Sequence, residues 1–333
     1  MLKILGIIAM LGVAMNPQAS EEHTLSENGI DSYITTNRAV DNIPNLRQLE
    51  TDYKETNTLF KESKTSATYT TRIPDPISKY EAPYNSLSYS LGFDPGFLIS
   101  DEVFLNKSSM TSDGIQSFLE YVTPECRSVD LDCLKDFRLD IPNVSADDKG
   151  ICTEIASKEN VSAAEAIKTV SDACGINPQV ILTHLEKEQG LVSSSSPTSY
   201  MYRAAMGFNC PDSNPQACGS VSGGFWNQIY GGSKQKLWYG NENSIFQYYP
   251  VGEPVRMKYH PNAECGTQEV VIKNRATASL YYYTPYVPNS AAMSNMSGLG
   301  DNCSSYGNRN FFKLFNEWFG DSRTSYSVAV PGK

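Results

Sequence analysis

The chain has 333 residues, with 27 Lys and Arg against 37 Asp and Glu, for a formal net charge of −10. Without a long basic run, that balance excludes a nucleic-acid or anionic-membrane surface as the main partner. Its eight cysteines, none in a CxxC, favour disulfides of an exported protein over zinc ligands or catalytic thiols.

In chain order, Met1–Ser20 carries Lys3, an apolar stretch from Ile4 to Met15 and small residues at Ala19-Ser20. This outlines a secretory signal, or a membrane tether if it is not cleaved, and places the protein outside the cell or in its envelope. Residues 21–92 are rich in Thr, Ser, Asn and Glu and read as a polar, flexible arm. In 93–150, Ile115, Phe118, Leu119 and Val122 recur at helical spacing, which predicts a small helical N-terminal subdomain.

The main domain spans 151–320. Ser162 with Glu165 forms a capping box for a helix running to about Cys174. A second helix follows from Asn177 to Gln189, and an aromatic one from Gly224 to Tyr239. Val255–Tyr259 and Glu269–Ile272 are β-prone and read as a hairpin joined by His260–Gln268. Ala276–Tyr283 is a further helix stopped by Pro285, and the Phe311–Phe319 run closes the domain at Gly320. Residues 321–333 form a loose tail. The expected fold is therefore mainly α with a small hairpin, stapled by disulfides. Sequential pairing is the simplest scheme: Cys126 and Cys133 bracket a short loop, as do Cys210 and Cys218. Cys152 and Cys174 bracket a helix, and Cys265 and Cys303 remain.

Chemistry concentrates on the Asn177–Gly190 run. Asn177 is a good N-cap, Pro178 suits the first helical position, and Gly190 suits the residue after the helix. On a helical wheel Ile181 and Leu185 bracket Glu188, whereas Thr183, Glu186 and Lys187 fall on the opposite side. Burial and the negative end of the helix dipole both favour a protonated acid at Glu188, which suits a proton donor. A carboxylate pointing to solvent from a frayed helix end is the competing reading. Glu186, facing outward, is expected to be a solvated surface charge. His184, one turn before Glu188, is expected to be a satisfied histidine that orients it.

Trp226, Tyr230, Trp238, Tyr282 and Tyr286 could line a groove, although aromatics at helical spacing are more often core. Tyr281, Tyr282 and Tyr283 cannot all face one core. Asn227 and Gln228 read equally as polar ligand partners or as solvated helix polars. Three histidines without an H-E-x-x-H pattern argue against a metal, and no cofactor is implied.

The helix ending in Glu188 and Gly190, followed by a looped segment, an aromatic helix and a Tyr-rich helix, resembles the goose-type lysozyme and soluble lytic transglycosylase superfamily. His184–Gly190, Gly224-Phe225-Trp226-Asn227-Gln228, Tyr259-His260-Pro261-Asn262-Ala263, Tyr281–Tyr286 and Tyr306-Gly307-Asn308-Arg309-Asn310-Phe311 look more closely like a group of secreted actinobacterial proteins. The resemblance implies a lysozyme-like domain that cleaves the β-1,4 bond between N-acetylmuramic acid and N-acetylglucosamine in peptidoglycan. It maps the catalytic glutamate onto Glu188 and a glycine turn onto Ala205-Met206-Gly207, with the sugar-side tyrosine at Tyr281 or Tyr283. A second carboxylate is not evident; Asp212, Glu264 and Asp301 are candidates that read as structural. The expected partner is the glycan strand, met by a monomer, and the alternative is a non-catalytic wall-binding or adhesion module on the same fold.

Overall fold

The computed structural model describes residues 92–210, Cys218 and 222–324. The signal, almost all of the arm, Asp212 and most of the tail lie outside the described residues. Within them are nine α-helices and two two-stranded antiparallel sheets.

Helix α1 (Asp101–Phe104) begins at Ser100, whose hydroxyl accepts from Val103 N. Helix α2 (Ser112–Val122) is capped by Thr111 and buries Ile115, Phe118 and Leu119. Strands β1 (Arg138–Ile141) and β2 (Lys158–Ser162) form the first sheet, in which Leu139 faces Val161. Arg138–Ile141 alternates polar and apolar over only four residues, and Lys158–Ser162 does not alternate, so periodicity alone does not show the pair.

Ser162 then caps α3 (Ala163–Cys174), accepting from Glu165 N. The Glu165 carboxylate pairs with Lys158 on β2. Helix α4 (Pro178–Gln189) has the expected bounds: Asn177 Oδ1 accepts from Gln179 N, and Gly190 closes the helix at φ 60°. That left-handed backbone is inexpensive only for glycine. After the short α5 (Ser199–Arg203) come α6 (Phe225–Gly240), the hairpin β3 (Pro254–Lys258) and β4 (Thr267–Val271), and α7 (Arg275–Tyr283). Helices α8 (Ser290–Ser294) and α9 (Gly307–Phe319) complete the chain.

A single core runs from Leu98 to Trp318. Helix α4 packs between α3 and α9, and α6 lies on α3 and α7. The β1–β2 ladder and the α2–α3 contact both cross residue 150, so the two sides of that boundary share one core rather than forming separate packing units. Four disulfides join Cys126–Cys133, Cys152–Cys174, Cys210–Cys218 and Cys265–Cys303, the sequential scheme. They point to an oxidising, extracellular compartment. Among the described residues no helix is long and apolar enough to cross a membrane.

The 306–311 motif serves packing. Asn308 donates to Thr284 O and Tyr286 O, holding the end of α7. Arg309, fully buried, donates through Nη1 to the carbonyls of Ala292, Asn295 and Gly298. The 259–263 motif is likewise a turn, with Asn262 Oδ1 accepting from Glu264 N.

One buried carboxyl on α9 gives a measurable consequence. Burial pushes Glu317 up to about 7 against the pull of Lys313, 3.7 Å away. A folded value above the unfolded 4.5 adds stability that is complete below pH 4.5 and lost as pH rises through 7. The shift corresponds to about 3 kcal/mol. Urea unfolding across pH 4 to 8 should therefore show the parent losing about that much relative to Glu317→Gln. Parallel pH profiles would exclude it.

Candidate active site

Helix α4 is enclosed except at its last turn, and this reverses two expectations drawn from its wheel. Glu186, expected in solvent, is 1% exposed. Its two oxygens accept from Ser193 N at 3.0 Å and Ser193 Oγ at 2.7 Å. Burial pushes its carboxyl up, while the Ser193 bonds pull the other way. Glu188, expected at the centre of the buried face, is instead 22% exposed. Thr183 is buried, and Lys187, 7% exposed, turns onto Glu188, its Nζ 2.6 Å from Oε1. The wheel assumed one wet face, but neighbouring elements cover nearly all of this helix and leave only its last turn open.

The remaining walls come from distant segments. Gly207, at φ 69°, stands against Glu188: a Cβ there would lie 3.6 Å from both Glu188 Oε2 and the Tyr283 hydroxyl. The turn is held by Gln228, fully buried, whose Oε1 accepts from Met206 N and Phe208 N. Its Nε2 donates to Phe208 O and Ser222 O. Gln228 is thus a clip for the glycine turn and is not free for an N-acetyl group. No periodicity signals that role, because its partners lie some 20 residues earlier in the chain.

The tyrosine triplet divides three ways. Tyr281 is fully buried and donates to Pro95 O, which removes it from any ligand surface. Tyr282 packs among Tyr239, Phe246 and Tyr249, and its hydroxyl accepts from Tyr249 N. Tyr283 donates to Met206 O beside Gly207. Of the two tyrosines offered for the sugar side, only Tyr283 stands by Glu188. Tyr286 is 5% exposed, which also places it in the core.

Behind Glu188 lie two buried basic side chains. His184 Nδ1 is 4.0 Å from Glu188 Oε1, and among the described residues neither imidazole nitrogen has a hydrogen-bond partner. Burial first, then Lys236 and Lys187, hold the imidazole well below its usual range, so the contact is not an ion pair. His184 is therefore an unsatisfied core histidine, packed on Tyr283 and Phe311. Lys236, fully buried on α6, sets its amine 3.3 Å from the centre of the Tyr283 ring. Burial drives that amine well below 10.5, Glu188 opposes the shift and Lys187 reinforces it.

Trp226, Asn227, Tyr230 and Trp238 line a neighbouring cavity of about 400 Å³ whose wall includes Phe208, the residue after Gly207. Trp226, 8% exposed, forms its floor, and Asn227 Nδ2 donates to Gly223 O. Among the other carboxylates, Glu264 is exposed on its turn. Asp301 accepts from Asn289, Ser304 and Cys303 N, which lowers its carboxyl and marks it as loop structure.

Gly207→Ala tests the turn. The left-handed backbone should cost about 1–2 kcal/mol with a Cβ present, readable as a lower midpoint in thermal or urea unfolding. An unchanged midpoint would mean that the turn relaxes freely.

Comparison with known families adds one match: a model described as LasA, N-terminal domain, covers residues 97–217. That span runs from α1 through α5 and holds Glu186, Glu188 and Gly207, but ends before α6, α7 and α9. No curated protein and no solved structure matches the chain.

Proposed function

We propose that the chain is a secreted, lysozyme-like enzyme that cleaves the N-acetylmuramic acid–N-acetylglucosamine β-1,4 bond of peptidoglycan, with Glu188 as the general acid. The observation that carries the reading is the setting of Glu188: the partly open end of a buried helix, with Gly207 and Tyr283 on one side and Lys187 on the other. Lys187 engages Oε1, so Oε2, facing Gly207, is the oxygen placed to hand a proton to the leaving glycosidic oxygen. As that bond breaks, the anomeric centre gains oxocarbenium character and Glu188 becomes a carboxylate beside an ammonium group. In a transglycosylase the muramic 6-hydroxyl then attacks the anomeric carbon and returns its proton to Glu188, which requires no second carboxylate. Trp226, Asn227 and Tyr230 would line the path of the strand.

The LasA N-terminal domain is associated with cell-wall lytic enzymes, which supports a wall-directed role at a coarser level. One observation favours the alternative of a binding-only module: the tight Lys187–Glu188 pair is also an arrangement that a purely structural carboxylate would adopt.

The test is mass spectrometry of the soluble products from purified peptidoglycan treated with disulfide-intact protein. Released muropeptides lighter by one water mark a transglycosylase, and reducing ends mark a hydrolase. Binding without release would leave the module and remove the enzyme.

A further inference from the structure

Along one side of α6 every fourth residue belongs to one stripe, which runs from buried Trp226 to the partly exposed Tyr230, Lys234 and Trp238. At 1.5 Å per residue the stripe is about 18 Å long, enough for more than one sugar ring. The Trp226 and Tyr230 rings are nearly parallel, at 7°, with centres 5.9 Å apart. Across from them the 142–151 segment supplies the second wall of the 400 Å³ cavity, a volume within the usual range for ligand sites.

A core stripe would be apolar throughout, and this one is not. Lys234 interrupts it with its side chain 32% exposed, 3.8 Å from Asp147. From the facing wall Lys149, an exposed residue, sets its Nζ 4.2 Å over the Trp238 ring. Among the described residues no Asp or Glu forms a salt bridge with Lys149. In a chain of net charge −10, the groove thus joins flat aromatic faces to an ammonium group with no anionic partner among the described residues.

We propose that this groove is an extended subsite for a glycan strand bearing carboxylate groups. The partly exposed rings of Tyr230 and Trp238 stack on the C–H faces of sugar rings, and Lys149, moving off the Trp238 ring it covers, pairs with a carboxylate substituent. The inference takes the glycan from the reading above but is independent of whether Glu188 performs catalysis.

The test uses the full chain carrying Glu188→Gln, so that no strand is consumed, with tryptophan fluorescence as the readout. Two probes share one backbone: peptide-free peptidoglycan strands with free lactyl carboxylates, and the same strands with those carboxylates converted to amides. At low salt the charged strand should bind about fivefold more tightly, as expected for one exposed ion pair of about 1 kcal/mol. Adding Lys149→Met should remove that preference, and Trp238→Ala should weaken both probes. Lys149 is a surface residue, so its variant keeps the fold, and an unchanged thermal midpoint checks both. Equal binding of the two probes, or a preference that survives Lys149→Met, would overturn the proposal. Cleavage by the parent without any Lys149 effect would sink the subsite and spare the enzyme. The charge preference without cleavage would do the reverse.

Discussion

Glu188→Gln is expected to cut the release of soluble muropeptides by about 10²–10⁴-fold, the usual contribution of a positioned general acid. Gln keeps the shape of the side chain and can still accept from Lys187, but it has no proton to give. Because Glu188 is partly open and Lys187 also lies within reach of Thr284 Oγ1 at 3.4 Å, the variant should fold. Its stability should fall by no more than about 1 kcal/mol, since one partly exposed ion pair is lost. The comparison that gives the result meaning is Glu186→Gln, two residues away. Glu186 touches Ser193 and not the open turn, so its replacement should alter the pH dependence of stability and leave product release near the parent level. The sign follows from its raised folded value: the parent should lose stability relative to Glu186→Gln as pH rises from 4.5 through that value. Full product release by Glu188→Gln would remove the general-acid role.

The second large effect lies in α9. Arg309→Ala should lower the unfolding free energy by about 4 kcal/mol or more, because each hydrogen bond from a charged donor contributes about 1.5–3 kcal/mol. Three carbonyls of the 292–298 segment accept from the two N–H groups of Nη1, and the side chain is wholly buried. Arg309→Lys keeps the charge but not the planar fork, so it should recover only part of the loss. Urea unfolding gives both numbers. A loss below about 1 kcal/mol for the alanine variant would show that these contacts are replaceable by water.

Local signals carried much of the architecture. The α4 helix could be delimited to the residue because Asn177, Pro178 and Gly190 each satisfy a backbone requirement that short-range chemistry sets. The hairpin, α3, α6 and α9 were legible for similar reasons of capping, turn residues and apolar period. Strands β1 and β2 were not, since Arg138–Ile141 and Lys158–Ser162 pair over a long connection with largely exposed side chains.

The site was legible only in part. Its helix, the glutamate in the last turn and the aromatic stripe could be picked out by residue type and spacing, but the openness of that glutamate could not. What those groups face could not, because that depends on elements far away in the chain. Gln228 holds a turn that begins 22 residues before it, Tyr283 reaches back 77 residues to Met206, and Lys236 comes to rest beneath Tyr283. The exchange of environment between Glu186 and Glu188 has the same origin. A helical wheel gives the angle between two side chains but not which angles are covered. Here α3 and α9 enclose α4, and burial was decided by their packing. Capping and periodicity, which act within a turn or two, determined where the helices lie. The neighbour each face meets, and with it the solvation of the candidate acid, was decided by tertiary contacts alone.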